Sequence, residues 1–406
     1  MRICIHGSYG TGNRGDNVIL SQLLLLLAAE LPGAEVTLLC RDEQRVELYL
    51  RSAHPELDLR VTPLHASFRR HPLGVLRACL RCDLFILGGG GLLWGGAPGN
   101  LAYWLTRARL ARLGGARLVF YLPGIYAVRG RAAHALLGRM ARAADFVSAR
   151  DLEGVEQLRA CGVPTAQIHL GADPAFLLPP PTPAAIADLL DALELRGRRL
   201  VGLSARDWRH RLSAGIFANF VRSLLEDEGI TLLFFVMKTG GRLGETDTDD
   251  ITVVRRLLGT LPAATQQRVL IVDDRYDDDE MIALMAACQY LVAMRLHALI
   301  FASIAGTPFG ALAYDDKIRA FMAMLGRQEL LLGMDEVADP ERLQAVTAGL
   351  AVERDRWPAG PVPEICLAAA SLAARVQTVH RALAEALHAW YPEARAGGRA
   401  GGRRAP

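Results

Sequence analysis

Three features that would direct a chain to a membrane or to nucleic acid are missing from this sequence. The apolar stretch from Ile19 to Ala29 spans only about a dozen residues, whereas roughly 20 are needed to cross a bilayer. The opening MRICIHG lacks the basic segment and apolar core of a signal peptide, and a net charge of +3 is too small to indicate nucleic-acid binding. We therefore expect a cytoplasmic protein without a nucleic-acid partner; a peripheral contact with the inner face of the membrane stays open.

The sequence also lacks the pattern of a disulfide framework or of a cysteine metal site. Its seven cysteines are scattered and odd in number, and Cys4 and Cys288 stand in apolar surroundings, which fits a reducing compartment. Cys79 and Cys82 form a CxxC, but no second pair follows to complete a zinc site. The acidic run from Asp273 to Glu280 is typical of a solvated loop that leads into a helix. We expect no metal and no bound cofactor.

A dinucleotide fingerprint is present only in part. Gly10-Thr-Gly12-Asn-Arg-Gly15 matches G-x-G-x-x-G between a predicted strand and a predicted helix. The acidic residue normally found about 20 residues further on is missing, because the first one after the second strand is Asp42. Asp16 would also place a carboxylate where a pyrophosphate meets the helix N-terminus. The loop therefore does not predict a nicotinamide or flavin site.

The length of the chain and its alternating strands and helices predict two α/β domains. A chain of 406 residues exceeds one ordinary core, and 51% hydrophobic with 22% charged residues is usual for a soluble α/β protein. The clearest linker is rich in proline. We predict an N-terminal domain at 1–177, the linker at 178–183, a C-terminal domain at 184–362, a helical segment at 363–393 and a disordered Gly/Arg-rich tail at 394–406.

The stretch from Tyr290 to Lys317 carries the clearest functional pattern. It reads as a buried strand, a helix that ends at Gly306-Thr-Pro, and a second strand. Arg295 and His297 come directly after the first strand, and Lys317 follows the second. In an open α/β sheet, ligands bind beyond the carboxyl ends of the strands.

These polar residues suit a small ligand with two negative charges. Arg295 can hold a carboxylate or phosphate with two parallel hydrogen bonds, and Lys317 can add a point charge. His297 can give or take a proton near neutral pH. The alternative is that Arg295 and His297 are packing residues and that Lys317 caps a helix.

This stretch resembles the polysaccharide pyruvyl transferase family, in particular the members that act on cell-wall polysaccharide precursors. Residues 294–300, Gly306-Thr-Pro and Tyr314-Asp-Asp-Lys317 carry the resemblance. Further similar segments occur in order: Gly12-Asn-Arg-Gly15-Asp16, the glycine run at 88–91, Val147-Ser-Ala-Arg150-Asp151, Gly171-Ala-Asp-Pro174 and Ser204-Ala-Arg206. The sequence departs from the family at Asn17, where glutamate is frequent. The resemblance implies a fold of two Rossmann-like domains with the active site in the cleft, similar to the GT-B glycosyltransferases.

The resemblance implies transfer of the pyruvyl (enolpyruvyl) group of phosphoenolpyruvate to a saccharide acceptor, and whether that acceptor is lipid-linked stays open. The products are a pyruvate ketal and phosphate, and no metal is required. His297 is then the general acid, and Arg150 and Arg295 bind the carboxylate and phosphate of the donor. Lys317 neutralises the leaving phosphate, and Arg206 is a further candidate. A salt bridge to Asp151 or another acid is the alternative for Arg150.

Asp16 is the candidate for the acceptor side, as a base or as an anchor for a hydroxyl group. An N-cap of the first helix is its alternative interpretation. The glycine run lets a ligand or another backbone come close, although a bare turn would give the same pattern. The remaining predicted substrate contacts are Leu296, Asn13, Gly15, Gly89 and Gly90.

Two other functions stay open at this point. The first is a GT-B glycosyltransferase that uses a nucleotide sugar, which would bind uridine nucleotides but not phosphoenolpyruvate. The second is a polysaccharide-binding protein without catalytic activity, which would bind sugars but release no phosphate.

Overall fold

The structure is a computed structural model, and it divides into two compact units. It describes residues 1–95, 98–206, 221–222, 224–240, 249–333, 336, 340–355 and 364–393. The first unit comprises Met1–Leu177 together with the chain from Leu372 onward, and the second comprises Leu178–Ser371. The predicted tail at 394–406 and the predicted boundary at 362 lie outside the described residues.

The first unit contains a seven-stranded parallel sheet with the strand order β3-β2-β1-β4-β6-β8-β9. Its elements are β1 (Arg2–His6), α1 (Arg14–Glu30), β2 (Glu35–Cys40), α2 (Glu43–Ala53), β3 (Arg60–His65), α3 (Pro72–Arg81), β4 (Leu84–Leu87), β5 (Gly90–Trp94), α4 (Pro98–Leu113), β6 (Arg117–Phe120), β7 (Pro123–Tyr126), α5 (Arg131–Arg142), β8 (Phe146–Ala149), α6 (Leu152–Ala160) and β9 (Ile168–Leu170).

The strand order places the helices of this unit on opposite faces of the sheet. The chain moves outward from β1 to β3, then returns to the other side of β1 and moves outward again through β4, β6, β8 and β9. Because parallel crossovers are right-handed, α1 and α2 cover one face and α3 to α6 cover the other. The core beneath α3 to α6 includes Phe85, Phe120 and Leu105.

The second unit is a six-stranded parallel sheet with the order β12-β11-β10-β13-β14-β15. Its elements are α7 (Pro183–Ala192), β10 (Arg199–Ser204), β11 (Ile230–Phe235), α8 (Asp250–Leu258), α9 (Ala263–Gln266), β12 (Val269–Val272), α10 (Asp278–Ala287), β13 (Tyr290–Ala293), α11 (Leu296–Ala305), β14 (Phe309–Ala313), α12 (Asp316–Met324), β15 (Leu331–Gly333) and α13 (Pro340–Asp355). Both units are therefore Rossmann-like, and the predicted α/β class is confirmed.

The last helix, α14 (Glu364–Trp390), connects the two units in the chain. Within the first unit, His380 Nε2 lies 2.7 Å from the Tyr121 hydroxyl. His388 Nε2 lies 2.7 Å from a carboxylate oxygen of Glu30. These contacts attach the C-terminal part of α14 to the first unit.

Three helix ends show how local sequence sets the boundaries. Gly306 ends α11 with a left-handed backbone (φ 71°), as Gly-Thr-Pro predicts. The acidic run caps α10, since Asp277 and Glu280 form a reciprocal capping box. Helix α1 begins at Arg14, and its N-cap position is Asn13. The N-cap interpretation of Asp16 is therefore wrong, because Asp16 is the third residue of the helix.

Candidate functional site

The predicted donor residues of the second unit lie at the point where its strand order reverses. Strands β10 and β13 are neighbours there, and Ser204 pairs with Ala293 at their carboxyl ends. Arg206 and Arg295 each stand two residues beyond these paired ends. Strand β14 lies next to β13, and Lys317 follows it in the first turn of α12. Such a reversal is where open α/β sheets bind ligands.

Tyr314 connects two of these cations. Arg206 Nη1 donates to the Tyr314 hydroxyl at 3.0 Å, and Lys317 Nζ lies 5.5 Å from the centre of the Tyr314 ring. Burial by itself would raise the pKa of Tyr314, but the charges of Lys317, Arg206 and Arg295 outweigh it and lower this pKa. The three cations therefore lie near one tyrosine. Two of them also face carboxylates, since Lys317 Nζ lies 3.7 Å from Asp315 and Arg295 pairs with a buried aspartate. In the sequence, Tyr314 stands out only as the first residue of the Tyr-Asp-Asp-Lys motif.

Arg295 is held by a carboxylate that sequence reasoning missed. Asp250 is fully buried, and both of its oxygens lie 3.2 Å from Arg295 Nε. Arg295 Nη2 makes a further short contact with it. The carboxylate also accepts the backbone N–H groups of Met237 at 3.1 Å and Lys238 at 3.0 Å. Burial raises the pKa of Asp250, and Arg295 opposes that rise.

His297 and Leu296 begin the helix that follows Arg295. Arg295 occupies the N-cap position of α11, Leu296 is its first residue and His297 its second. His297 and Arg295 are each 8% exposed. The strand end thus places an imidazole and a guanidinium in the same helical turn.

The acceptor candidates of the first unit lie at the other reversal point, between β1 and β4. Asn13 Nδ2 donates to the Asp16 carboxylate at 3.0 Å. A Cβ built on Gly90, the first residue of β5, would lie 3.0 Å from the other Asp16 oxygen. Gly15 is buried beside them in the first turn of α1. The structure therefore brings Asn13, Gly15, Asp16 and Gly90 together, with a largely buried carboxylate among them.

The glycine run allows close packing of the chain on itself. A Cβ on Gly88 would overlap the hydroxyl of the buried Tyr9, and one on Gly89 would lie 2.5 Å from Ile19 Cγ2. Gly90 has φ +94°, which favours glycine. The run continues into β5, which pairs with β7 in a small parallel sheet. The interpretation as a bare turn is therefore wrong, and the closest neighbours are the chain's own side chains.

Arg150 is engaged with acidic residues inside the first unit. Its Nη1 lies 3.0 Å from Asp173, and its Nε lies 3.6 Å from Asp151. The Tyr126 hydroxyl is in contact with Nη2. Arg150 is 6% exposed and Asp173 is 4% exposed. The contacts expected of the salt-bridge alternative are thus present, while Arg206, Arg295 and Lys317 gather in the second unit.

Membrane-spanning helices and grouped metal ligands are both absent from the described ranges. None of the helices there is both long and apolar enough to cross a membrane. Among the same residues, no three His, Cys, Asp or Glu side chains are grouped so that they could hold a metal ion.

Together, two Rossmann-like units, with three cationic side chains near the strand reversal of the second, define an α/β protein with two parallel sheets. The family model for polysaccharide pyruvyl transferase matches residues 13–316, which is more than half of the chain. The chain belongs to this family, and the resemblance identified from its motifs is confirmed.

A relative of known pathway matches part of the chain. AmsJ from Erwinia amylovora, an amylovoran biosynthesis protein, is 25% identical over 211 residues. The match covers 47% of this chain and 47% of AmsJ, so it spans about half the length of that relative.

Solved structures share the fold at low sequence identity. HepE from Anabaena, solved with UDP and glucose, superposes with a TM-score of 0.61 at 16% identity, covering 96% of this chain and 100% of HepE. UDP-GlcNAc 2-epimerase from Methanocaldococcus jannaschii gives 0.57 at 11% identity, covering 92% and 99%. These likenesses show the fold alone. The architecture is the GT-B-like one that the sequence predicted.

Proposed function

We propose that this protein transfers the pyruvyl group of phosphoenolpyruvate onto a sugar of a cell-surface polysaccharide precursor. The observation that carries the proposal is the gathering of Arg206, Arg295 and Lys317 at the strand reversal of the second unit. Phosphoenolpyruvate carries a phosphate and a carboxylate on adjacent groups, so it needs several cations at once. Membership of the pyruvyl transferase family supports this choice of donor.

The reaction needs one proton on carbon and two attacks by oxygen. Protonation of the methylene carbon converts the enol phosphate of phosphoenolpyruvate into an oxocarbenium-like centre. One sugar hydroxyl adds to that carbon and a second displaces phosphate, which leaves a cyclic pyruvate ketal. The two hydroxyl protons go to solvent or to a base, and they balance the proton gained by the methyl group and the charge of the released phosphate.

The roles in the second unit follow from the charge changes in this scheme. Arg206 and Arg295 hold the carboxylate and phosphate, and Lys317 neutralises the phosphate as it leaves. His297 supplies the proton to the methylene carbon. These cations provide the electrostatic stabilisation, so the scheme requires no metal ion or bound cofactor.

The roles in the first unit concern the acceptor. Asp16, held by Asn13 beside Gly90, anchors a sugar hydroxyl or accepts its proton. Arg150 is assigned to the donor carboxylate by the family resemblance, and its ion pair with Asp173 makes that assignment testable. We also propose that the reaction takes place in the cytoplasm, since all seven cysteines are free.

The test is to incubate the protein with phosphoenolpyruvate and a panel of lipid-linked and nucleotide-activated sugars. The expected result is phosphate release together with a pyruvyl mass gain on one acceptor. Phosphoenolpyruvate should also raise the melting temperature, because a ligand that binds only the native state stabilises it by mass action. Arg206→Ala and Arg295→Ala should each weaken this effect. Arg196→Ala, which changes an exposed arginine of the same unit, is the matched control.

A second function is favoured by the likeness to HepE, whose structure contains UDP and glucose. If the chain were a nucleotide-sugar glycosyltransferase, UDP and UDP-sugars would raise the melting temperature and phosphoenolpyruvate would not. Binding of sugars without phosphate release or sugar transfer would instead indicate a polysaccharide-binding protein. Either result would overturn the pyruvyl transfer proposal.

A further inference from the structure

The positive charge of this chain is concentrated in one part of the first unit. Between Leu59 and Ala144 the sequence contains thirteen arginines and one acidic residue, Asp83. That segment has a net charge of +12, whereas the whole chain has +3. A segment in which positive charge is almost uncompensated indicates binding to an anionic surface.

The fold puts most of this charge on one side of the sheet. The segment contains α3, α4 and α5, which lie on the face opposite to α1 and α2. Its arginines are exposed, with the exception of Arg107. Arg112 and Arg117 share the carboxylate of Asp145. Five arginines on or near the first two of these helices have no acidic partner in the part of the chain that the structure describes: Arg69, Arg70, Arg77, Arg81 and Arg109.

Helix α3 also presents a stripe of leucines to solvent. Leu73 is 79% exposed, and Leu76 and Leu80 are each 37% exposed. At about 100° per residue these three side chains fall within about 60° of one another. Val75 and Cys79, on the opposite side of the helix, are fully buried in the core. An apolar stripe that a helix exposes to solvent indicates a surface that binds a partner.

A cavity extends this surface at the C-terminal end of α3. Its volume is about 380 Å³, and its lining includes Leu80, Arg81, Arg117 and Arg2. Exposed leucines and arginines therefore lie side by side on α3 as far as the cavity, where Arg2 is paired with Asp83 at 3.1 Å. An amphipathic helix with arginines beside leucines is the pattern that lies in the plane of a bilayer interface.

We infer that the face formed by α3 and α4 of the first unit binds to the surface of an anionic phospholipid bilayer. The leucine stripe enters the boundary between head groups and acyl chains, and the surrounding arginines pair with lipid phosphates. A nucleic acid or an acidic polysaccharide would satisfy the arginines but would leave the leucines exposed. This inference does not depend on which donor the enzyme uses.

The test is co-sedimentation of the full chain with phosphatidylcholine vesicles that contain phosphatidylglycerol, compared with pure phosphatidylcholine vesicles. Binding should require phosphatidylglycerol and should weaken as salt rises. The substitutions Arg69→Gln, Arg77→Gln and Arg81→Gln should together lower the partition constant by about 100-fold, at about fivefold per arginine. The apolar variant with Leu73→Ser, Leu76→Ser and Leu80→Ser should lower it by at least about tenfold.

The controls use the opposite face of the same sheet. Leu48 on α2 is 72% exposed and Arg51 is exposed on the same helix, so the variant with Leu48→Ser and Arg51→Gln should bind vesicles as the native chain does. All variants change exposed side chains and should keep the native melting temperature. Absence of binding to the anionic vesicles at low salt would overturn the inference. Native binding by the leucine variant would also overturn it, and retention on heparin by that variant would identify a soluble polyanion as the partner.

Discussion

Asp250 holds the guanidinium of Arg295 from a position that is 45 residues earlier in the chain. The carboxylate is completely buried and accepts two backbone N–H groups just beyond the end of β11. Each of its two oxygens lies 3.2 Å from Arg295 Nε. The pair fixes the direction in which Arg295 leaves the strand end. Asp250 is therefore a positioning residue for the proposed donor site.

Substitution of Asp250 tests this relationship. Asp250→Asn leaves a buried guanidinium without its counter-charge, which typically costs about 3–5 kcal/mol of unfolding free energy. We expect a large fall in melting temperature and a smaller stabilisation by phosphoenolpyruvate, both measured by thermal shift. Asp249→Asn is the matched control, because Asp249 only caps α8, and its loss should cost about 1 kcal/mol.

A double variant separates positioning from folding. Asp250→Asn combined with Arg295→Gln replaces the ion pair by two neutral amides and should recover much of the stability. It should not recover the stabilisation by phosphoenolpyruvate. Full recovery of that stabilisation would show that Arg295 does not contact the donor.

Local sequence predicted the strand ends of the second unit, but it did not predict the partner of Arg295. The β13–α11–β14 segment is contiguous, and its apolar runs and Gly306 define it within a few residues. Asp250 contacts Arg295 only because β11 and β13 flank the central strand β10. The available signal was an aspartate at the start of a helix, since Asp250 is the first residue of α8, and it gained meaning only with the strand order.

Prediction from local sequence had the same limit in the first unit. The glycine run predicted a close approach by a ligand or a backbone, whereas the side chains of Tyr9 and Ile19 lie closest to Gly88 and Gly89. The small sheet of β5 and β7 was missed, since Gly90–Trp94 and Pro123–Tyr126 are short and lack the alternation of a half-buried strand. The arginine-rich segment was visible in the sequence, but the overall charge of +3 concealed it.

The ion pair of Arg150 and Asp173 leads to a second prediction. Arg150→Ala should lower the unfolding free energy by about 3–5 kcal/mol, because it leaves the buried Asp173 without its counter-charge. Loss of activity in the Arg150→Ala variant alone would therefore not show whether Arg150 binds the donor. Arg150→Ala combined with Asp173→Asn should be closer to native stability. If this double variant melts near the native temperature and is still fully stabilised by phosphoenolpyruvate, Arg150 does not bind the donor.

Packing of Tyr9 on the glycine run gives a third prediction. Gly88→Ala should cost about 1–3 kcal/mol of unfolding free energy, because the new methyl group overlaps the Tyr9 hydroxyl. Tyr9→Phe removes that oxygen and leaves ring carbon Cζ at 3.1 Å from the new atom. Chemical denaturation should therefore show that Gly88→Ala costs less in the Tyr9→Phe background. Gly91→Ala, whose nearest neighbour is at 3.9 Å, should cost little; equal losses at both glycines would contradict this account of the run.

His380 makes the stability of the first unit dependent on pH. Burial lowers the pKa of His380 to about 4, whereas an unfolded histidine titrates near 6.5. Between these values the unfolded state binds more protons, so the unfolding free energy falls as the pH falls from about 6.5 toward 4. We expect this histidine to contribute a loss of about 2 kcal/mol between about pH 7 and pH 5. Urea unfolding of His380→Gln should show a correspondingly shallower pH dependence, and an unchanged slope would exclude this contribution.

The role of His297 as the proton donor is tested by separating turnover from binding and from folding. A single general acid typically contributes roughly 10²–10⁴-fold to the rate. His297→Gln should therefore reduce turnover by roughly that factor while phosphoenolpyruvate still raises the melting temperature. Ser303→Ala serves as the control for disturbance of the same helix, since Ser303 is fully buried and donates to the Leu299 carbonyl at 2.8 Å.

The two interpretations of His297 predict opposite results on the same preparation. If its ring only packs against the core, His297→Gln should lower the melting temperature and leave the turnover of each folded molecule nearly unchanged. If it protonates the methylene carbon, the variant should melt near the native temperature and turn over slowly. Rapid turnover in a variant that melts normally would remove His297 from the mechanism. Asp16, the other titratable residue proposed for the chemistry, would then be the next residue to substitute.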